Sequence, residues 1–345
     1  MSEQADTEPA EDPFAPAADA GIHRLAISTP FAVGRVNVYL IDDDPLTLVD
    51  AGPNSGTSFD ELTRGIAGLG HTLEDIELVI LTHQHIDHLG LVGLVASHSG
   101  AEVAAIDAAV PFVERFTEEA QVDDDFARDV MLRHGISEDV VSALQSVSRA
   151  FRAWGARADV TRVLHDGDVL EFRDRKLQAC FRPGHSPTDT VFLDAERKIL
   201  ISADHLLGHI SSNPLITRPR DGTEGRPQAL VTYLHSLELT RAMDVDLVLP
   251  GHGDPITDHR SLIDERFSGH RRRAAKLHRL ITERPRSAYE LAQALWGNIA
   301  VTQTYLTLSE VLGHTDMLLN DGSVREVEDG GVVRFVAVAD RAPGG

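Results

Sequence analysis

Three imidazoles and a carboxylate crowd into six consecutive positions of this chain, within Thr82-His83-Gln84-His85-Ile86-Asp87-His88-Leu89-Gly90. Neutral imidazole nitrogens and carboxylate oxygens are ligands for divalent cations, and packing alone gives no reason for such density. In extended backbone successive side chains point to opposite sides, so His83 and His85 share one face while Asp87 and His88 begin the next turn on another. That arrangement suits two cations, one for each pair. Imidazole and carboxylate without thiolate favour zinc, with manganese or iron as alternatives decided by affinity order and supply.

Something must hold these side chains in one place. Leu78-Val79-Ile80-Leu81, just upstream, reads as a buried strand, and Leu89 to Ala96, just downstream, as a helix of small residues. The same grammar recurs further on. Ala179-Cys180-Phe181 precedes Arg182-Pro183-Gly184-His185, Ile199 to Ala203 precedes Asp204, and Asp246 to Leu249 precedes Pro250-Gly251-His252. Taken singly, a His-x-His or a Gly-His in a loop is often structural. Together, four strands would deliver ligand-type residues to the rim at which α/β folds bind ligands.

The H-x-H-x-D-H signature at His83, His85, Asp87 and His88, with the later His185, Asp204 and His252, resembles the metallo-β-lactamase superfamily over roughly residues 21 to 260. The resemblance implies an α/β fold, the αββα sandwich, and two divalent metal ions. His83, His85 and His185 would hold the first metal, Asp87, His88 and His252 the second, and Asp204 would bridge them. It also implies that Asp50, in Leu48-Val49-Asp50-Ala51-Gly52, is a carboxylate standing behind the metal loop, although an Asp before Gly is equally an ordinary turn. Relatives often carry a second Gly-His where this chain has Thr188-Asp189, which is a departure from the pattern.

The remainder of the chain divides by composition. Residues 1–20 hold acidic residues, Ala and Pro with no Lys or Arg, and are expected to be a disordered acidic tail. Residues 21–259 would form the metallo-β-lactamase-fold domain. It is interrupted at about 107–162 by a helical insertion whose apolar positions, such as Val140, Leu144, Val147 and Phe151, recur at helical spacing. That insertion could be a lid over a substrate cleft, or could pack on the core or on another subunit. Residues 260–345 read as helices followed by a hairpin at 324–338, an order that resembles the winged-helix-like C-terminal domain of some hydrolases with this fold.

The chain has 345 residues, 42% hydrophobic and 25% charged, enough for a layered core with a smaller appended unit. A net charge of -22 repels polyanions and disfavours non-specific nucleic-acid binding. No apolar run is long enough to cross a bilayer and the acidic N-terminus lacks signal-peptide features, so no membrane role and a cytoplasmic location are expected. The single cysteine, Cys180, lies in a strand-like run and reads as a buried structural thiol. Whether the chain forms a homodimer stays open.

Two such metals would lower the pKa of a bridging water to about 7, giving a hydroxide nucleophile at neutral pH, with Asp87 placed to hold or relay the proton. A thiolate, whose conjugate thiol has a pKa of about 8.5, leaves without prior protonation, whereas an amide nitrogen needs a proton donor. None is evident in the motifs. The expected reaction is therefore hydrolysis of a small anionic thioester, an acyl-CoA or a glutathione conjugate. The resemblance points the same way, since the family includes glyoxalase II and acyl thioesterases. RNA cleavage and lactone hydrolysis by the same chemistry are alternatives, as is a winged-helix binding module with a vestigial metal site. Arg266, Arg271, Arg272, Arg273, Lys276 and Arg279 form a basic stretch that could meet CoA phosphates or simply be solvated. His209 is a candidate substrate contact, His205 reads as a core histidine, and Arg218, Arg220 and Arg226 read as a solvated basic loop.

Overall fold

The computed structural model describes residues 12–220, 225–297 and 301–338. Two sheets face each other. The first runs in order from β1 (Ile22–Ile27) through β2 (Val36–Ile41), β3 (Thr47–Val49), β4 (Leu78–Ile80) and β5 (Glu102–Ile106) to β6 (Arg162–Leu164). Pairing is antiparallel from β1 to β3 and parallel from β3 to β6. In the second sheet β11 (Leu247–Pro250) lies beside β10 (Ile199–Ala203), followed by β9 (Thr190–Asp194), β8 (Lys176–Phe181) and β7 (Val169–Glu171). Here β10 and β11 are parallel, and the two antiparallel steps through β9 make β8 run the same way.

Strand periodicity builds the layers. Along the second sheet Ala179, Ile199, Ile201, Leu247 and Leu249 point into the core between the sheets. Their neighbours Cys180, Leu200 and Val248 point to the other face, where they meet Leu230, Tyr233 and Leu237 of a covering helix. Cys180 is thus a buried thiol. The outer helices of this α/β sandwich include α2 (Gly56–Gly68) and α4 (Val92–Ser99) on the first sheet and α8 (Ala229–Arg241) on the second, with the short α3 (Ile86–Leu89) inside the metal-type motif. No helix of the described residues is long and apolar enough to cross a membrane.

The end of the expected tail is ordered. Phe14 and the helix α1 (Ala15–Asp19) dock on the first sheet. Phe14 is 3% exposed, packs against Tyr39, and lies under the Arg24 guanidinium at 4.5 Å. One aromatic ring among alanines supplies enough apolar surface to anchor an otherwise acidic stretch. The rest of that expectation, residues 1–11, lies outside the described residues.

Nor do the apolar cores separate at residue 259. The insertion forms α5 (Val110–Glu114), α6 (Phe116–Arg133) and α7 (Glu138–Phe151), and the C-terminal region forms α9 (His259–Glu283), α10 (Ala288–Trp296), α11 (Thr304–Asn320) and a hairpin, β12 (Val324–Asp329) with β13 (Val332–Ala337). Val130, Met131, Ile136 and Val141 of the insertion share one core with Ala274, Leu277, Leu291, Leu312 and Phe335. The apolar stripe of the insertion therefore packs on the C-terminal helices. Its end also reaches the metal-type motif: Asn54 N donates to the Trp154 carbonyl, and Gly155 sits against Ile86.

Candidate metal centre

Parallel pairing puts strand ends side by side. Val49 pairs with Ile80, so the next residues, Asp50 and Leu81 with Thr82, leave β3 and β4 together. Ala203 pairs with Pro250, which sets Asp204 beside Gly251 and His252. Two backbone bonds tie the sheets at the rim: Thr190 N donates to Thr82 O at 3.0 Å and Asn37 N to Gly251 O at 2.7 Å. The His252 turn is further held by Asn37 Nδ2 donating to the carbonyls of Pro250 and Gly253, and by Tyr39 OH donating to Pro250. Gly251 is required there, because a Cβ would lie 2.3 Å from Asp204 Oδ1. Asp50 and Ala203 have φ of 62° and 44°, left-handed values that cost L residues on the order of 1–2 kcal/mol and persist where surrounding bonds fix them.

All seven sequence-predicted residues converge. His85 Nδ1 is 3.1 Å from His83 Nε2 and 2.9 Å from His185 Nε2. On the other side, His252 Nε2 is 3.4 Å from Asp87 Oδ2. Asp204 lies between the groups, its oxygens 3.5 Å from His88 Nε2, 3.6 Å from His185 Nε2 and 3.6 Å from His252 Nε2. Three overlapping donor sets result: His83, His85 and His185; His83, His88 and Asp204; Asp87, His88 and His252.

The tautomers follow from the outer bonds. A backbone carbonyl can only accept, so His252 Nδ1 donates to Arg35 O at 2.8 Å and its Nε2 offers a lone pair inward. His88 Nδ1 donates to Asp50 Oδ2 at 2.7 Å, with the same result. Thr82 Oγ1 gives its proton to Asp50, at 2.8 Å, and so accepts from His83 Nδ1 at 3.0 Å. One carboxylate thereby orients two imidazoles, the arrangement that metal-binding histidines use. Of the two readings for Asp50, the structure shows the carboxylate behind the metal loop. Thr82 was missed by the sequence reading, although a hydroxyl next to the first histidine was a signal for it.

Charge is balanced in a telling way. Burial pushes His83 well below its ordinary pKa, aided by the His88 and His85 imidazoles, and holds His85 down to about 3. Burial opposes charge on His88 and His252 as well, yet Asp50 and Asp204 raise His88, and Asp204 and Asp87 raise His252. Against its own burial, Asp204 is held well below the usual carboxylate range by His88 and His252. Buried carboxylates here demand positive charge, from protonated imidazoles or from cations. His88 Nε2, His252 Nε2 and Asp204 Oδ1 are buried with no hydrogen-bond partner and face one another. Donor types, tautomers and orphaned atoms all fit divalent cations.

Around the centre several expectations change. Arg266 is not free for a phosphate: its Nη2 donates to the carbonyls of Leu207, Gly208 and Ile210 at 3.0 to 3.1 Å, holding the loop that follows Asp204. Arg273 pairs with Glu310. Arg218 is not solvated but bound to Asp123 and Glu119 of the insertion, and Arg226 to Asp316 of α11, because buried acids there need partners. Arg220 lies over the Phe112 ring and donates to Ala108 O. His205 is a core histidine, 2.8 Å from Thr240 Oγ1. His209 is exposed and lies against Gly253 in a cavity of about 510 Å³ shared with Arg24 and Arg35. Where the second Gly-His was missing, Asp189 instead accepts from Ser186 N and Oγ, both at 2.8 Å, closing the turn that carries His185. Burial raises Asp189 to about 6.

Residues 32–252 match the family model described as the metallo-beta-lactamase superfamily. The chain is 31% identical over 311 residues to the probable metallo-hydrolase YqjP of Bacillus subtilis (strain 168), covering 90% of this chain and 96% of that one. The solved structure of the metallo-beta-lactamase family protein TTHA1429 from Thermus thermophilus superposes with a TM-score of 0.79 at 26% identity, covering 92% of this chain and 99% of that chain. A more partial likeness, 30% identity over 131 residues, links 37% of this chain with 40% of the acyl-coenzyme A thioesterase MBLAC2 of Bos taurus.

Proposed function

Because this chain belongs to the metallo-beta-lactamase superfamily and is a metallo-hydrolase of that fold, we propose that it hydrolyses a thioester and that its seven converging side chains hold two divalent cations, with zinc the best match. His83, His85 and His185 would hold one cation, Asp87, His88 and His252 the other, and Asp204 would reach both. When bound, such cations supply an acidified water nucleophile and Lewis-acid polarisation of the attacked carbonyl.

The chain's own residues prepare that chemistry. Asp50 fixes His88 directly and His83 through Thr82, so the donor nitrogens need no reorganisation. Asp87 is held ionised by its bond to His252, despite burial, and is the carboxylate placed to take the proton of the attacking water. Ser186 and Asp189 close the turn that keeps His185 in register.

The observation that carries the thioester reading is that the tyrosine beside the centre is already committed and not free to protonate a leaving group. Tyr233 packs on Gly184, next to His185, yet its hydroxyl donates to the His205 carbonyl and burial raises its pKa. A leaving group that departs as a thiolate, with a conjugate pKa of about 8.5, does not need such a donor. The likeness to a bovine protein named as an acyl-coenzyme A thioesterase supports the same class. The test is thiol release by the zinc-loaded full-length chain from a panel of acyl-CoA and acyl-glutathione esters, run beside RNA oligonucleotides and lactones. Thioester turnover well above both other classes is expected, and turnover of RNA or lactone alone would overturn the reading.

A further inference from the structure

We propose that His270 of α9, with Glu310 and His314 of α11, forms a second, separate divalent-cation site in the core shared by the insertion and the C-terminal helices. The three offer one donor atom each within 4.8 Å of one another. His270 Nδ1 is 3.0 Å from His314 Nε2, the same spacing as the 2.9 to 3.1 Å between nitrogens of His83, His85 and His185. It is close to the roughly 3.3 Å expected for two nitrogens on one zinc.

The tautomer is fixed as at the principal centre. His314 Nδ1 lies 2.6 Å from the Glu310 carbonyl, which only accepts, so Nδ1 carries the proton and Nε2 presents its lone pair to His270. Both rings are more than nine-tenths buried, at 5% and 0% exposure. Burial also holds each down to about 4, so both are neutral ligands at neutral pH. Glu310, one turn before His314, is on the same helix face. Arg273 pairs with its Oε1.

Two imidazoles and a carboxylate select a borderline ion such as zinc over calcium or magnesium, which prefer all-oxygen sites. Its place says what it would do. α9 and α11 meet there among Ala274, Leu277, Leu308 and Leu312, and Arg266 is one turn before His270. The cation would pin α9 to α11.

Zinc bound per chain, counted by mass spectrometry after gel filtration, tests this on the full-length protein. His270→Gln and Glu310→Gln should each retain one zinc fewer than the unaltered chain, with turnover changed by less than about twofold. Because only the difference is read, the result does not depend on how many ions the principal centre holds. Arg273→Gln, which frees Glu310, should tighten zinc binding at this site. Equal zinc content in the unaltered chain and both ligand variants would overturn the proposal and leave an N–H···N hydrogen bond alone. If His270→Gln fails to fold, Glu310→Gln, on the half-buried edge of the cluster, decides the matter.

Discussion

The ligand rim takes its residues from the ends of neighbouring strands, where backbone pairing alone brings Asp50, Thr82, Asp204 and Gly251 together. The second core is assembled from α6, α7 and the helices α9 to α11, which come from separate parts of the chain and meet mainly through side-chain packing. At the rim a single methyl group at Gly251 would collide with Asp204. The second core is mainly aliphatic, a kind of interior that tolerates repacking. The two meet at Arg266 on the loop after Asp204, at Asn213 Nδ2 donating to Leu306 O, at Tyr305 OH donating to Ile216 O, and where Asn54 N donates to the Trp154 carbonyl at the end of the insertion. Chemistry and stability should therefore be separable by mutation, except at those contacts.

The largest expected effect falls on stability alone. Phe335 is fully buried in the second core, and Phe335→Ala should cost about 3–5 kcal/mol in urea unfolding while turnover per folded molecule stays unchanged. A drop in turnover with stability intact would erase the distinction between the regions. Next comes the converse: Asp50→Ala removes the carboxylate that sets two imidazoles, and metal affinity should fall about 10–100-fold, read by competition with a chelating dye. Unchanged affinity would mean that the tautomer network is incidental. At the junction, Arg266→Met should raise KM by several-fold at constant metal content, since three loop carbonyls lose their donor. Loss of metal instead would show that the loop supports the ligands and not the substrate.

The smallest effect is on pH dependence. His134 stacks on Phe335 and is held down to about 3, by burial first and then by Arg226 and Arg133. The unfolded chain takes up this proton first as pH falls below about 6.5, so stability is lost between about 6.5 and 3 and is indifferent to His134 above that range. In His134→Gln the slope of unfolding free energy between those values should flatten; an identical slope would place the acid sensitivity elsewhere.

The rim was largely legible because strand, turn and ligand follow one another locally: apolar runs ended at His185, Asp204 and His252 as the sequence suggests. Thr82 and the Asp189 turn were not, since a hydroxyl or a carboxylate in a loop carries no sign of its partner. The second core was legible only as helices. Which face of α7 meets which face of α11 depends on packing across the chain, which spacing does not encode, and so the insertion's partner stayed open. Arg266 shows the same limit in charge. A basic stretch reads as a field, yet its members are distributed to backbone carbonyls, to Glu310 and to solvent by geometry alone. Phe14 was misjudged because acidic composition hid one anchoring ring.

The most direct test of the account is thioester turnover after exhaustive chelation, followed by stepwise return of zinc. The seven-residue centre predicts that activity vanishes on chelation, recovers in proportion to bound zinc, and recovers in no amount in Asp204→Ala. Full turnover in the metal-stripped chain would contradict it.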